Sequence, residues 1–394
     1  MDLIYFFIIF FFVILLLVIS YIVFSKVKQG MDQRRVSQLE NEMQPIVDKY
    51  MESESGSKIS EKEISDLRKK VQTKTGLQAF NSIYFARVKQ DGLTEKLHQL
   101  VTLIIDFQML NNNRIVRNKY RKSYILYLCA EYYMNSEEVI DFALESLEDP
   151  SLYVRNNALR VLRNTGNVDT IIDAYRKISK GKLYFNNKVI VDFMGSFRGD
   201  MQELNKALAS NMVEFSPKIQ RGIMDHFTNR RISEYSNEIL RFIEASSDKE
   251  IIIAGIRYFG VVHKQEAYPF IVEKFKSKSY EIRAVCARAI GLYPCEETIT
   301  LLKEYIKDAN WFVRYNCAFT LFHLEEENIF NKDSSIGKVI CEKDTFARDI
   351  MIYTLYSKGL INSDNDQVKL ACFQIENVEK EERRDGFKTN HLVH

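Results

Sequence analysis

The chain has 394 residues, of which 46% are hydrophobic and 27% charged, and its 55 Lys and Arg almost balance 53 Asp and Glu for a formal net charge of +2. So even a balance gives no bulk-charge reason to expect a nucleic-acid binder. The six cysteines, Cys129, Cys286, Cys295, Cys317, Cys341 and Cys372, are scattered without any C-x-x-C spacing, which argues against structural disulfides and fits a reducing compartment.

Residues 1–25 read as a transmembrane anchor. Leu3 to Phe24 is an apolar run without one charged side chain, and a helix of that length spans a hydrocarbon core of roughly 30 Å. A cleaved signal peptide fits less well: Asp2 replaces the usual basic residue, the run is too long, and no small-x-small site follows. Lys26, Lys28, Arg34 and Arg35 come directly after the run, so the positive-inside rule puts the N-terminus outside and the rest of the chain in the cytoplasm. No Gly-x-x-x-Gly pattern lies within the run to pair it with another helix.

Residues 26–94 read as a helical stalk and N-terminal cap. Met31 to Met51 is a mixed, charged pattern that Pro45 is expected to break, and the stretch from Ser53 to Ser57 is a flexible interruption. Ser60 and Glu63 ahead of Ile64, Leu67 and Val71 form a capping box that starts a new helix.

Residues 95–362 carry an internal repeat. Asp149-Pro-Ser-Leu-Tyr-Val-Arg155 returns as Asp308-Ala-Asn-Trp-Phe-Val-Arg314 and, with Ser277 leading, as Ser277-Lys-Ser-Tyr-Glu-Ile-Arg283. Arg283 and Arg314 are 31 residues apart, and weaker copies around Asn187, Gln220 and Ile252 fill the gap from Arg155 to Arg283 at about the same step. Lys122 and Arg348 keep the register outward. Ser216 and Pro217 suit the start of one repeat helix. Glu297 to Ile306, apolar at helical spacing, is one of the second amphipathic stretches between the copies. Each unit is therefore a helical hairpin, roughly eight hairpins run from residue 95 to residue 360, and such units bury their apolar faces by stacking. Residues 363–394 read as a terminal helix and a polar tail, with a charged run from Glu379 to Asp385.

The repeat resembles the HEAT family over about two thirds of the chain. The resemblance implies an all-α, right-handed α-solenoid of HEAT-like helical hairpins behind one N-terminal transmembrane helix. It also implies an Asp–Arg hydrogen-bonded ladder between neighbouring hairpins. The Asp149/Arg155 and Asp308/Arg314 pairs match that motif, and Arg283 matches with Ser277 in place of Asp. The copies near Asn187, Gln220 and Ile252 lack the Arg, so the ladder is expected to be interrupted there.

Five residues after each register position stand Arg160, Asp192, Asp225, Arg257, Arg288 and Phe319. In HEAT-like solenoids these turns of the second helices line the concave face. Arg160, Arg257, Arg288 and Phe319 are the candidate binding row, a groove for a partner segment or anionic group. The opposing reading is a solvated face on which Arg160 offsets Asp192 and Asp225 offsets Arg257. The basic cluster Arg114 to Lys122, with Tyr120 interleaved, suits anionic lipids better than nucleic acid beside a membrane anchor, and a solvated helix start is the simplest reading of it.

Sites of known chemistry are not evident. No Gly-rich phosphate loop, G-x-S-x-G or H-E-x-x-H occurs, and His98, His226, His263, His323, His391 and His394 have no metal-ligand spacing. No His is followed by Glu, as it is in the metal-dependent HEAT-like hydroxylases, so neither a metal nor another cofactor is expected. The expectation is a non-enzymatic, membrane-tethered scaffold that binds a partner protein. The family analogy suggests a membrane-associated partner such as an exopolysaccharide glycosyltransferase. The alternative is a HEAT-like ligand-binding protein or enzyme of base-excision or lyase type, for which Trp311, the single tryptophan, stands where a groove residue would; packing between the last units is its simpler role.

Overall fold

The computed structural model describes residues 2–52, 59–111, 120–325, 334–340 and 344–360. Twenty α-helices, three 3-10 turns and no strand occur among the described residues, in two compact units. The first unit comprises Met1–Ile178 and Phe197–Gly199. Its helices are α1 (Asp2–Glu52), α2 (Glu61–Val71), α3 (Lys74–Asp91), α4 (Glu95–Ile104), α5 (Phe107–Asn111), α6 (Arg121–Glu131), α7 (Glu137–Ser146), α8 (Leu152–Asn164) and all but the last two residues of α9 (Val168–Lys180).

Helix α1 is continuous for 51 residues, roughly 75 Å. The side chains from Ile4 to Phe24 are exposed all round it, and the helix is long and apolar enough to cross a membrane. It also passes through Pro45 without ending, contrary to the expected break. Proline in a helix interior removes one hydrogen bond and costs about 3 kcal/mol. Met43, Val47 and Tyr50, on one stripe of the same stretch, are buried in the unit, whereas Pro45 faces solvent. Burying each such side chain contributes about 1.5–3 kcal/mol, so packing against α3, α2 and α4 outweighs the lost bond. The boundary expected at residue 25 is thus not a break in the backbone. The residues read as anchor and the first part of those read as stalk belong to one helix.

The expected capping box starts α2. The Ser60 hydroxyl accepts from the Glu63 amide at 3.3 Å, and the Glu63 carboxylate accepts from the Ser60 amide at 2.8 Å. Lys49 on α1 also donates to Glu63, at 2.9 Å, which ties the two helices. Tyr84 on α3 donates to the Glu131 carbonyl at 2.8 Å, joining α3 to α6, and α8 packs on both α6 and α7. Of the basic cluster, Arg114 to Lys119 lie outside the described residues. So does the tail, 363–394.

The second unit comprises Ser179–Ser196 and Asp200–His394. It contains α10 (Asn187–Gly195), α11 (Met201–Ser210), α12 (Pro217–Arg230), α13 (Ser236–Glu244), α14 (Lys249–Phe259), α15 (Tyr268–Lys274), α16 (Tyr280–Ala289), α17 (Glu296–Tyr305), α18 (Trp311–Leu324), α19 (Ser335–Ile340) and α20 (Thr345–Ser357). The even-numbered helices pack in chain order, α10 on α12, then α14, α16, α18 and α20. Helices α13, α15, α17 and α19 each pack on the helix that follows, forming helical hairpins. Helix α17 lies within a residue of the stretch expected from Glu297 to Ile306. Ser216 stands at the N-cap of α12 with Pro217 in its first turn, but its side chain makes no capping bond; its amide donates instead to the Ser179 hydroxyl at 3.0 Å.

Candidate binding face

The three strongest repeat copies share one local contact. Arg155 Nη1 donates to the carbonyls of Asp149 and Pro150 at 2.9 and 3.0 Å. Arg283 Nη1 donates to those of Ser277 and Lys278 at 2.7 and 3.2 Å, and Arg314 Nη1 to those of Asp308 and Ala309 at 2.8 and 3.0 Å. The arginine thus satisfies the backbone just ahead of its own helix, a role that needs the spacing of six residues but not an Asp side chain. The Asp carboxylates point elsewhere. Asp308 accepts a bidentate pair from Arg283 of the preceding hairpin, at 2.7 and 3.0 Å, and Asp149 accepts from Lys122 on α6 at 3.2 Å. Between hairpins, the pairing therefore runs from one register cation to the next copy's Asp, not within Asp149/Arg155 or Asp308/Arg314.

Where the Arg is missing, other groups fill in. Gln220 Nε2 donates to the Met212 carbonyl at 3.1 Å. Exposed pairs Arg221–Glu250, at 2.8 Å, and Lys249–Glu281, at 3.2 Å, link α12 to α14 and α14 to α16.

The Arg283–Asp308 latch fixes the start of α18. Burial by itself would push the Asp308 carboxyl up, but the hydrogen bonds from Arg283 and from the Asn310 amide, with the charges of Arg283 and Arg314, hold it below its ordinary value. Asn310 then caps α18, its side chain accepting from the Phe312 amide at 2.9 Å. Deeper in the same contact, Thr320 donates to the Ala287 carbonyl at 2.8 Å. Cys286 and Cys317 are fully buried between these helices, as small core residues, and burial pushes both thiols up.

Held this way, α18 presents Trp311, Tyr315, Phe319 and His323 at intervals of four residues on one stripe. Trp311 and Tyr315 stack at 5.1 Å with planes 6° apart, Phe319 follows Tyr315 at 6.1 Å, and His323 lies edge-on to Phe319 at 4.5 Å. Tyr353 of α20 meets Trp311 and Tyr315 edge-on at 6.3 and 6.2 Å, while Tyr280 of α16 stacks on Phe312 at 6.4 Å. This is not core packing: Trp311 is 43% exposed and Phe312 56%. Trp311 thus touches Tyr353 of the last hairpin, in the direction expected, but it is not enclosed there. Two cations approach the same ring, Arg288 from the last turn of α16 at 5.6 Å from the Phe319 centroid and Lys358 from the C-cap of α20 at 4.4 Å.

The remaining row positions differ from one another. In the first unit, Arg160 forms an ion pair with Glu131 and lies 5.5 Å from the Tyr127 ring centre. In the second, Asp225 accepts from Asn187 at 2.7 Å and lies 3.9 Å from Arg221. The charge offsets within the row are thus replaced by partners outside it. Asp192 and Arg257 are exposed on α10 and α14. His226 is buried and hydrogen-bonds Asn205 at 3.0 Å; burial, then the nearby Arg230, push it down to about 4, so it is a neutral packing residue. No group of three or more His, Cys, Asp or Glu able to hold a metal occurs among the described residues.

Tyr315 and Tyr353 were missed in the sequence. The first was legible in the four-residue aromatic interval, whereas the second, like Lys358, reaches the face only through packing of α20 on α18. No protein-family model matches the chain, and no curated protein matches it.

Proposed function

We propose that this chain is a membrane-tethered, HEAT-like α-solenoid that acts as an adaptor for a partner protein. In this reading the apolar run of α1 spans the bilayer with its N-terminus outside, and both units stand on the cytoplasmic side. Leaving that run in water would forfeit about 1.5–3 kcal/mol for each large side chain, which supports the anchor. The observation that carries the binding role is the half-exposed aromatic stripe on α18, from Trp311 to Phe319, bordered by Arg288 and Lys358. Trp, Tyr and Arg are the side chains that dominate protein–protein hot spots, and a water-exposed stack of this kind needs a cover to contribute its apolar area. The partner that the family resemblance favours is itself membrane-associated, in the manner of an exopolysaccharide glycosyltransferase. The base-excision alternative calls for an acidic side chain among the aromatics, and α18 carries neither Asp nor Glu.

The test is cross-linked co-purification of the full-length protein from its native membrane, beside an Arg257→Glu/Arg288→Glu variant and a Trp311→Ala/Phe319→Ala variant. Recovery of one membrane protein that is lost in both variants is the expected result. Recovery lost in neither moves the interface off this face, and recovery of no protein overturns the adaptor reading.

A further inference from the structure

The adaptor reading leaves open what chemistry the partner presents, and the charges around the stripe bear on that. Helix α18 has no carboxylate, and the Asp349 carboxylate on α20 already faces Arg348 at 3.7 Å. Arg288 and Lys358 make no ion pair among the described residues, although both are exposed and both sit within 5.6 Å of the centre of the Phe319 ring. A ring face attracts a cation but does not take up its N–H bonds as a carboxylate does. Two like charges thus lie against one aromatic ring without an ion-pair partner among the described residues, next to the open Trp311–Tyr315 stack. Anionic groups from outside would offer each of them the acceptor that the ring does not. A cationic segment would meet the same pair as a barrier.

We infer that the partner contributes an acidic segment rich in apolar side chains, whose carboxylates lie on Arg288 and Lys358 and whose apolar groups cover Trp311 and Tyr315. This rests on the adaptor reading and names the chemistry of its ligand. An anionic bilayer surface is the competing occupant.

Because Trp311 is the only tryptophan, its emission reports binding at this face alone. The full-length protein in neutral phosphatidylcholine nanodiscs is titrated with a synthetic peptide of Glu, Leu and Phe, and with its counterpart in which Lys replaces Glu. The expected result is a saturable change in Trp311 emission with the acidic peptide. The apparent Kd should rise about tenfold for each of Arg288→Gln and Lys358→Gln, the loss of one charge-assisted contact. Both residues are exposed, so far-UV circular dichroism should match the parent. Equal response to the Lys peptide, or no response to either, overturns the inference, and the adaptor reading survives such a result if co-purification still succeeds. A shift in Trp311 emission on exchanging phosphatidylcholine for phosphatidylglycerol, with no peptide present, assigns the face to the bilayer and overturns it as well.

Discussion

The Arg283–Asp308 latch gives the sharpest quantitative prediction, because the same motif occurs in a solvated form in the other unit. The Asp308 side chain is 6% exposed and that of Arg283 16%, against 20% for Asp149 and 38% for Lys122. Asp308→Ala removes a bidentate pair and the acceptor of the Asn310 amide. It leaves a guanidinium that is largely buried. Breaking a buried pair on one side costs about 3–5 kcal/mol. Arg283 keeps its bonds to the Ser277 and Lys278 carbonyls, which places the expected loss near the lower end, about 3 kcal/mol. Asp149→Ala breaks a single, less buried contact worth about 1 kcal/mol or less and one hydrogen bond from the Ser151 amide, worth about 1 kcal/mol. The expected ratio of the two losses is therefore about 1.5 to 2.5.

Stacked helical units unfold piecewise, so a global melting curve is the wrong readout. Trp311 begins the helix that the latch holds, and urea titration followed by its emission reads the latch directly. Asp308→Ala should lower that midpoint markedly, while Asp149→Ala should leave it unchanged and show only in far-UV circular dichroism. An Arg283→Gln/Asp308→Asn cycle should give a coupling of about 1–3 kcal/mol. Coupling near zero, or a Trp311 midpoint that falls as much for Asp149→Ala, would refute the account of burial given above.

Three further outcomes follow from the same structure. His226 has a folded pKa near 4, below its ordinary 6.5, so its contribution is complete above about pH 6.5 and disappears as the pH falls from there to 4. Its loss is about 3 kcal/mol, and His226→Gln should flatten the stability difference across that window in paired urea titrations. Among the four described cysteines, Cys295 is exposed and hydrogen bonds with Thr298 and then Tyr268 lower its thiol, while burial pushes Cys129 up to about 12. Iodoacetamide labelling of the native protein, read by mass spectrometry, should therefore modify Cys295 well before Cys129, Cys286 or Cys317. A Cβ at Gly255 would meet Ile243 Cγ2 at 2.4 Å, so Gly255→Ala should destabilise α14 against α13 by about 1–3 kcal/mol, less the ~1 kcal/mol gain in helix propensity.

Much of the helical order was legible in the sequence because it rests on local rules. The Ser60–Glu63 box and the Arg six residues after its copy's start each involve groups within one turn or loop. What escaped is what tertiary packing decides. Pro45 reads as a break from any local rule, and only the burial of Met43, Val47 and Tyr50 keeps α1 whole. The repeat's Asp and Arg were expected to bond between neighbouring hairpins, but which cation meets which Asp is decided by packing: Arg283 reaches Asp308 and Lys122 reaches Asp149. The same distinction holds at the candidate binding face. Its spine, Trp311 to His323, is a helical interval that any reader can count, but its two cations arrive from other helices. Arg288 and Lys358 are favoured where they stand for a local reason, since both lie at helix C-termini, where the helix dipole is negative. Stacking α16, α18 and α20 side by side is what turns two separate capping cations into one positively charged edge on an aromatic strip. A surface with that origin keeps its charge only while the stack is intact, so the latch that orders α18 and the face that α18 displays should weaken together.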